Sequence, residues 1–589
     1  MYRSEHPNPQ FEREQYECLN GAWDFEIGSA KGKLNTPLLG KIEVPFCPEA
    51  KLSGVCRTDF IRDCVYTREI EVKKQDLEGR LVLHFGAVDY EAQIYVNGQY
   101  ITAHVGGYTS FEADITSAVH IGMNRITVVV HDDMREHVPS GKQSRKRKSF
   151  GCFYTRTTGI WQTVWLERTP KDYVKSIHIF PDIGASAVKV EVNAEGSGFV
   201  KIVVLYEGRQ VGEISGDMAY RHTFAIPLSE THLWSPGEGK LYDVVLQFGT
   251  DRIKSYFGLR EVGYQGRKFL VNGKSVFQRF VLDQGYYPDG IYTAPDLEAM
   301  RQDIEKSVAL GFNGARLHQK VFEQRFLYEC DRAGYMVWGE FPSWGVEYEK
   351  LDFLGRFISE WTEVVEQYFN HPSIITWCPL NEAWSNLEDQ RKVRNVRFVE
   401  SVYAVTKMLD GTRPCVDTSG GYHGRHTDVF DFHCYGSEKD ISRYVDQLEQ
   451  EEQLNVDTLY PPGSAQENIL YSSEAPVSAS EYGGMAYSQQ GGSMIDLSDK
   501  EDKAAPVTAE SGWGYSTCSD EERLVEQYVG QTRRFLNCSK ISGFCYTQLY
   551  DVEQEENGFY TYFRLPKLGK AAMEQIASCN RSRAAIEEL

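Results

Sequence analysis

The sequence predicts a multidomain chain: an N-terminal β jelly-roll sandwich, an immunoglobulin-like β-sandwich and a C-terminal (β/α)8 TIM barrel. Three observations predict it. At 589 residues the chain exceeds what one hydrophobic core organises, so three or four domains are expected. Residues 1–260 consist of short β-rich runs separated by turn residues. From residue 261 onward, short apolar runs alternate with long helical patterns, the mark of parallel β/α units.

Residues 1–170 carry strand patterns at Leu81–Phe85, Ala92–Val96 and Arg125–Val130, with an Asn97-Gly98 turn after the second, and end on Gly159–Leu166. A sandwich or jelly roll accommodates them. Residues 171–260 repeat the style over a shorter span, at Val188–Val192, Val200–Leu205 and Tyr242–Phe248, as an immunoglobulin-like sandwich does. In residues 261–589 the expected strands are Val276–Leu282, Asn313–Leu317, Met336–Trp338, Ile374–Cys378, Cys415–Asp417, Val429–Phe432, Pro476–Ser480 and Gly543–Thr547. The helical stretches between them include Asp296–Leu310, Phe357–Asn370, Lys392–Leu409 and Asp520–Leu536. Eight strands on this scale suit a barrel. Leu454–Gln466 and Met485–Ser516 read as long loops. The second reads equally as a lid beside the barrel mouth and as a disordered insertion.

The formal net charge of −21 argues against nucleic acid and anionic membranes as partners. It leaves a single anionic sugar open, because one local cation can bind one carboxylate. The basic run Arg145–Lys148 reads as a solvated loop. Thirteen cysteines without a C-x-x-C pair fit reduced thiols, not a disulfide framework or a zinc site. The start Met1–Pro7 lacks an apolar signal core, and no run approaches the ~18 apolar residues of a membrane span. The expected address is cytoplasmic, and a homo-oligomer is compatible with the sequence.

Two glutamates stand out. Glu382 ends Thr376–Glu382, and Glu481 follows the small apolar run Ala475–Ser480. Each closes a strand-like segment. Two carboxyl groups at the C-terminal ends of two strands of one barrel can cleave a glycosidic bond, one as acid and one as base or nucleophile. Alone, either reads as a helix-start or turn residue.

Trp377-Cys-Pro-Leu-Asn-Glu382, with His371-Pro-Ser373 ahead of it, resembles the acid/base signature of glycoside hydrolase family 2, and Ser480-Glu-Tyr-Gly483 resembles its nucleophile strand. Asn20–Phe25, Phe85–Tyr90, Val96-Asn-Gly98, Gly107–Phe111 and Gly159-Ile-Trp-Gln162 are similar to its N-terminal domain, and Phe257-Gly-Leu-Arg260 to its join into the barrel. The resemblance implies a retaining exo-β-glycosidase. Glu481 would attack the anomeric carbon, and Glu382 would protonate the leaving oxygen and then activate water, with the carboxylates roughly 5 Å apart. It implies that Asn381 meets the 2-hydroxyl, that Arg316 keeps Glu481 ionised and that Tyr435, after His433, touches the nucleophile. Trp344 and Tyr546 are expected as aromatic walls, and Asp283, Gln284, His318 and Gln548 as substrate-binding groups.

Departures from the family pattern shape the expected substrate. Leu282–Tyr287 replaces the Asn-Arg-His-Glu of large β-galactosidases, so no magnesium or other cofactor is expected. Glu555-Glu-Asn-Gly558 replaces the Asn-x-Lys with which β-glucuronidases grip the sugar carboxylate. The expected sugar is therefore galacto-configured, as for a β-galactosidase or a β-galacturonidase, with β-glucuronidase or another β-hexuronidase as the alternative. Lys320 is the candidate cation for a uronic carboxylate, beside the reading of an exposed lysine at a helix start. A carbohydrate-binding protein on a dead barrel is the reading from another class, and the retention of both glutamates argues against it.

Overall fold

The structure is a computed structural model. It describes the chain apart from residues 1, 32–33, 35–37, 134–137, 349, 384, 387–391, 394, 421–422, 451–452, 456–469, 473, 488–511 and 589. Most of both expected long loops therefore lies outside the described residues.

In the first sandwich, alternate residues of each strand turn inward, as a half-buried strand requires. A six-stranded antiparallel sheet runs in the order Gly40–Val44, Gly21–Ile27, Asp63–Val72, Gly122–His131, Glu91–Val96, Gln99–Val105. It faces a four-stranded sheet of Phe111–Asp114, Arg80–Phe85, Val164–Thr169 and Tyr16–Cys18. Trp23, Tyr66, Ile94, Val128, Leu83 and Leu166 fill the space between. The Asn97-Gly98 turn joins its two strands with φ of 51° and 78°, the left-handed pair that a tight hairpin demands and these residue types tolerate.

The second sandwich hangs on two long strands, Ala187–Tyr206 and Arg209–Pro227. Ala187–Tyr206 pairs with Tyr173–Asp182 along its first half and with Tyr242–Phe248 along its second. The change of partner surrounds Gly196 and Gly198, where the register to Arg209–Pro227 shifts, so one bent strand serves both faces. Glu12–Arg13 pairs with Ile253–Lys254, which stitches the start of the chain onto this second sandwich.

The barrel strands are β1 (Gln278–Asp283), β2 (Gly314–Leu317), β3 (Met336–Glu340), β4 (Ile374–Cys378), β5 (Phe430–Cys434), β6 (Val477–Gly483) and β7 (Ile541–Thr547). They form one curled parallel sheet in the order β4-β3-β2-β1-β7-β6-β5. The expected strand Cys415–Asp417 is reduced to isolated parallel bridges, Trp377 to Cys415 and Asn381 to Ser419. Side chains take the place of a ladder on its other edge: Asp428 accepts from Cys415 N–H at 2.9 Å and Thr427 Oγ1 from Asp417 N–H at 3.3 Å.

Helices α1 (Leu297–Ala309), α2 (Gln324–Ala333), α3 (Leu351–Tyr368), α4 (Val396–Leu409), α5 (Glu438–Gln450), α6 (Glu521–Leu536) and α7 (Lys570–Asn580) accompany the sheet. α4 starts later than the pattern from Lys392 implied, because Asn395 caps it by accepting from Phe398 N–H. Phe280, Leu282, Trp338, Cys378 and Cys545 pack inside the barrel. Val281, Ala315, Leu317, Val337, Tyr482 and Tyr546 join the layer beneath the helices. That alternation decides which side chains reach the site.

Candidate active site

Arg316 lies between Ala315 and Leu317, whose side chains turn outward, so its guanidinium enters the barrel. It is fully buried. Nε donates to Glu340 Oε2 at 2.5 Å, Nη1 to Glu481 Oε1 at 2.9 Å and Nη2 to Asn381 Oδ1 at 2.6 Å. A buried cation needs such pairing. Glu340, which sequence reasoning missed, is the second anion. It also accepts from Gln319 N–H at 3.0 Å and lies 3.0 Å from His318 Nδ1. Burial pushes its pKa up, but Arg316 and His318 outweigh that and hold it below the ordinary value.

Glu481 lies near the C-terminal end of β6, two residues before Gly483, and is buried. The Tyr435 hydroxyl donates to its Oε2, and Tyr435 also sits 3.0 Å from Thr547 Oγ1. Burial alone would raise the Glu481 pKa, yet His433 and Arg316 outweigh it and hold the carboxylate at about 2. Glu481 is thus ionised across ordinary working pH, as a nucleophile needs to be.

Glu382 sits just beyond β4 in left-handed backbone, φ 46°. A residue with a Cβ occupies that region at some cost, and such strain gathers at functional sites. Its N–H is anchored to Ser419 O at 2.8 Å, so the degenerate fifth strand fixes the turn that aims it. His433 stands between the two glutamates, with Nδ1 2.9 Å from Glu382 Oε1 and Nε2 3.4 Å from Glu481 Oε1. Burial lowers the His433 pKa, but the two carboxylates outweigh this and raise it. One atom from each of Glu382, His433 and Glu481 lies within 4.8 Å of the others. The trio is close enough to share a cation, and Arg316 already supplies positive charge to it.

Asn381, Arg316, His318, His433 and Tyr435 therefore converge on the glutamate pair. Trp344 stands at the rim, its Nε1–H donating to Asn381 O at 3.1 Å and its ring 5.4 Å from that of Phe153. Beside Glu382 a cleft of about 380 Å³ opens, lined by Ser140, Gln143, Phe153, Trp344 and Tyr348 among others. Gln284 Nε2–H donates a hydrogen bond to Gln548 Oε1 at 2.9 Å. This leaves Gln284 Oε1 and Gln548 Nε2 buried without partners.

Three expected residues lie elsewhere. Asp283 follows the inward Leu282 and so faces outward, accepting from Gly285 N–H at 2.9 Å and from the Tyr550 hydroxyl. Burial pushes its pKa up to about 6. Tyr546, between the inward Cys545 and Thr547, packs on Tyr482, Tyr528 and Phe559 beneath the helices. Lys320 is neither exposed nor in the site. Its ammonium donates to the carbonyls of Gly285 and Tyr292 and lies against the Tyr292 and Phe322 rings. Burial lowers its pKa to about 7.

Beyond Glu340, three further groups at the site were not foreseen. Tyr515 stacks on Tyr435 at 3.5 Å. Glu555 accepts from Asn557 Nδ2 at 2.9 Å and from the Tyr154 hydroxyl. Lys142 reaches in from the first sandwich. The signal for Glu340 was available, since it shares strand parity with the inward Trp338. Lys142 has no local signal, because its placement depends on how one domain docks on another.

Three segments match sequence families: residues 49–170 the one described as "Glycosyl hydrolases family 2, sugar binding domain", 173–260 "Glycosyl hydrolases family 2", and 262–526 "Glycosyl hydrolases family 2, TIM barrel domain". The β-glucuronidase of Sus scrofa is 26% identical over 386 residues, 58% of this chain and 56% of that protein. The β-glucuronidase of Mus musculus is 26% identical over 523 residues, 80% and 78%. Among solved structures, a β-glucuronidase of an uncultured Clostridium sp. superposes with a TM-score of 0.76 at 21% identity, covering 97% of this chain and 99% of the other. A β-galacturonidase from Eisenbergiella tayi bound to galacturonate gives 0.73 at 20% identity, covering 99% and 100%. With two sandwiches, a barrel and a glutamate pair where the motifs placed it, the chain belongs to glycoside hydrolase family 2.

Proposed function

We propose that this chain is a retaining exo-β-glycosidase that removes a terminal β-linked sugar by double displacement. One observation carries the reading: a carboxylate oxygen of Glu382 and one of Glu481 lie within 4.8 Å. Retaining enzymes hold their pair about 5–5.5 Å apart, and inverting ones about 6.5–9.5 Å to admit a water.

In the first step a Glu481 oxygen bonds to the anomeric carbon while the bond from that carbon to the leaving oxygen breaks. Glu382 gives its proton to the departing oxygen. Arg316 and Tyr435 aim the nucleophile, and Asn381, its carbonyl held by Arg316, has its amide N–H groups left for the 2-hydroxyl. In the second step Glu382 takes a proton from water, whose oxygen attacks the anomeric carbon and frees Glu481. Once Glu481 is an ester its charge is gone, so an ionised Glu382 no longer faces a like charge.

For the sugar, the relatives' names point to β-hexuronides. The galacto series is favoured by Glu555 and Asn557, which bond each other where a glucuronidase would present its lysine. A panel of p-nitrophenyl β-D-galacturonide, glucuronide, galactoside and glucoside, with proton NMR of the first-formed anomer, tests this reading. The expected outcome is hydrolysis of a uronide with the β-anomer released first. Release of the α-anomer would remove the mechanism, and preference for the glucuronide would remove the galacto assignment.

A further inference from the structure

We infer that Lys142, a residue of the first sandwich, anchors the carboxylate of the acidic sugar. This rests on the glycosidase reading above and extends it to a residue outside the barrel. Lys142 lies on the segment joining Gly122–His131 to Gly159–Ile160, with its carbonyl held by Tyr154 N–H at 2.8 Å. The residue is only 4% exposed. Its ammonium lies 4.4 Å from the centre of the Trp344 ring, and the Trp344 indole N–H bonds the carbonyl of Asn381, the neighbour of the acid/base glutamate. It therefore enters the catalytic centre from above the barrel mouth.

An ammonium brings three donors, and burial away from water makes unpaired ones costly. Among the described residues, Lys142 pairs with no carboxylate within 4.0 Å and donates to no oxygen. The Cys152 thiol lies close enough for the Lys142 charge to oppose the rise that burial gives its pKa. The fields of Cys152, Glu555, Glu481 and Glu382 raise its pKa against burial and keep it charged. The other buried cations are engaged: Arg316, at the pair, holds Glu340, Glu481 and Asn381, and Lys320, away from the site, holds two backbone carbonyls. A ligand carboxylate offers the opposite charge and two acceptor oxygens, which is what this ammonium lacks.

The test compares kcat/KM of wild type, Lys142→Met and Lys142→Arg on the four aryl glycosides named above, with thermal midpoints as a folding control. Lys142→Met should lose about 100-fold more on the better uronide than on the matching neutral glycoside. Lys142→Arg should recover part of that difference, because it restores the charge. The loss should appear largely in KM, since the carboxylate does not change charge during reaction. Equal losses on uronide and neutral sugar would overturn the inference, because Lys142 would then serve a ring hydroxyl or the fold. So would an unchanged uronide preference in Lys142→Met. Both results leave the glycosidase reading standing. Failure of the wild type to hydrolyse any of the four would instead remove that reading, and this inference with it.

Discussion

Glu481 and Glu382 do different work because their surroundings differ. Glu481 is buried against a guanidinium, an imidazole and a phenol, whereas a quarter of the Glu382 side chain remains exposed, at 25%. Glu481→Gln keeps the shape but removes the negative oxygen. We expect turnover to fall by about a thousandfold or more with near-native circular dichroism, and wild-type rates would reject its role as nucleophile. Glu382→Ala should slow substrates with poor leaving groups most, because only those need the proton. Azide should restore activity on activated aryl glycosides, with β-glycosyl azide as the product. Equal slowing of good and poor leaving groups would count against the acid role.

At the scale of elements, the barrel was legible where one periodicity ran uninterrupted. The alternation along β2 and β3 aims Arg316 and Glu340 inward from sequence position alone. The same parity, applied to Leu282 and Cys545, would have excluded Asp283 and Tyr546; treating the ends of strands as a cluster of site residues ignored it. The degenerate fifth strand was harder to read, since Val416 N–H bonds Trp377 O on one edge while the Cys415 and Asp417 N–H groups on the other go to the side chains of Asp428 and Thr427. Helix starts followed cap chemistry. Asp296, the expected first residue of its helix, is the cap of α1, and accepts from Ala299 N–H at 2.8 Å. Asp296→Ala should weaken that helix end by about 1 kcal/mol. The measurement is faster amide hydrogen exchange confined to the first turn of α1. Protection equal to wild type there would show that the cap contributes nothing.

On the scale of the whole molecule, the first sandwich is part of the barrel's core. Tyr108, Tyr154 and Trp161 belong to the same buried cluster as Tyr292, Phe341 and Trp361. Domain docking of this kind leaves no periodic trace in sequence, which is why Lys142 and Tyr154 were not foreseen. The same interface buries Glu360 of α3, 3% exposed. One of its oxygens accepts from the Tyr90 hydroxyl, and the other has no partner. Burial, reinforced by Asp89 and Glu363 and opposed by Tyr90 and Arg356, raises its pKa from 4.5 to about 8. A carboxyl group raised in this way favours the fold in its protonated form. Its contribution is complete below pH 4.5 and declines as pH climbs towards 8, where ionisation places a second negative charge beside Asp89. The thermal midpoint of the wild type should therefore carry a downward component between those values. Glu360→Gln keeps the shape and the acceptor for Tyr90 but cannot ionise, so its midpoint should fall less steeply over the same range. Superimposable pH profiles for the two proteins would show that Glu360 is not the group that ties this interface to pH.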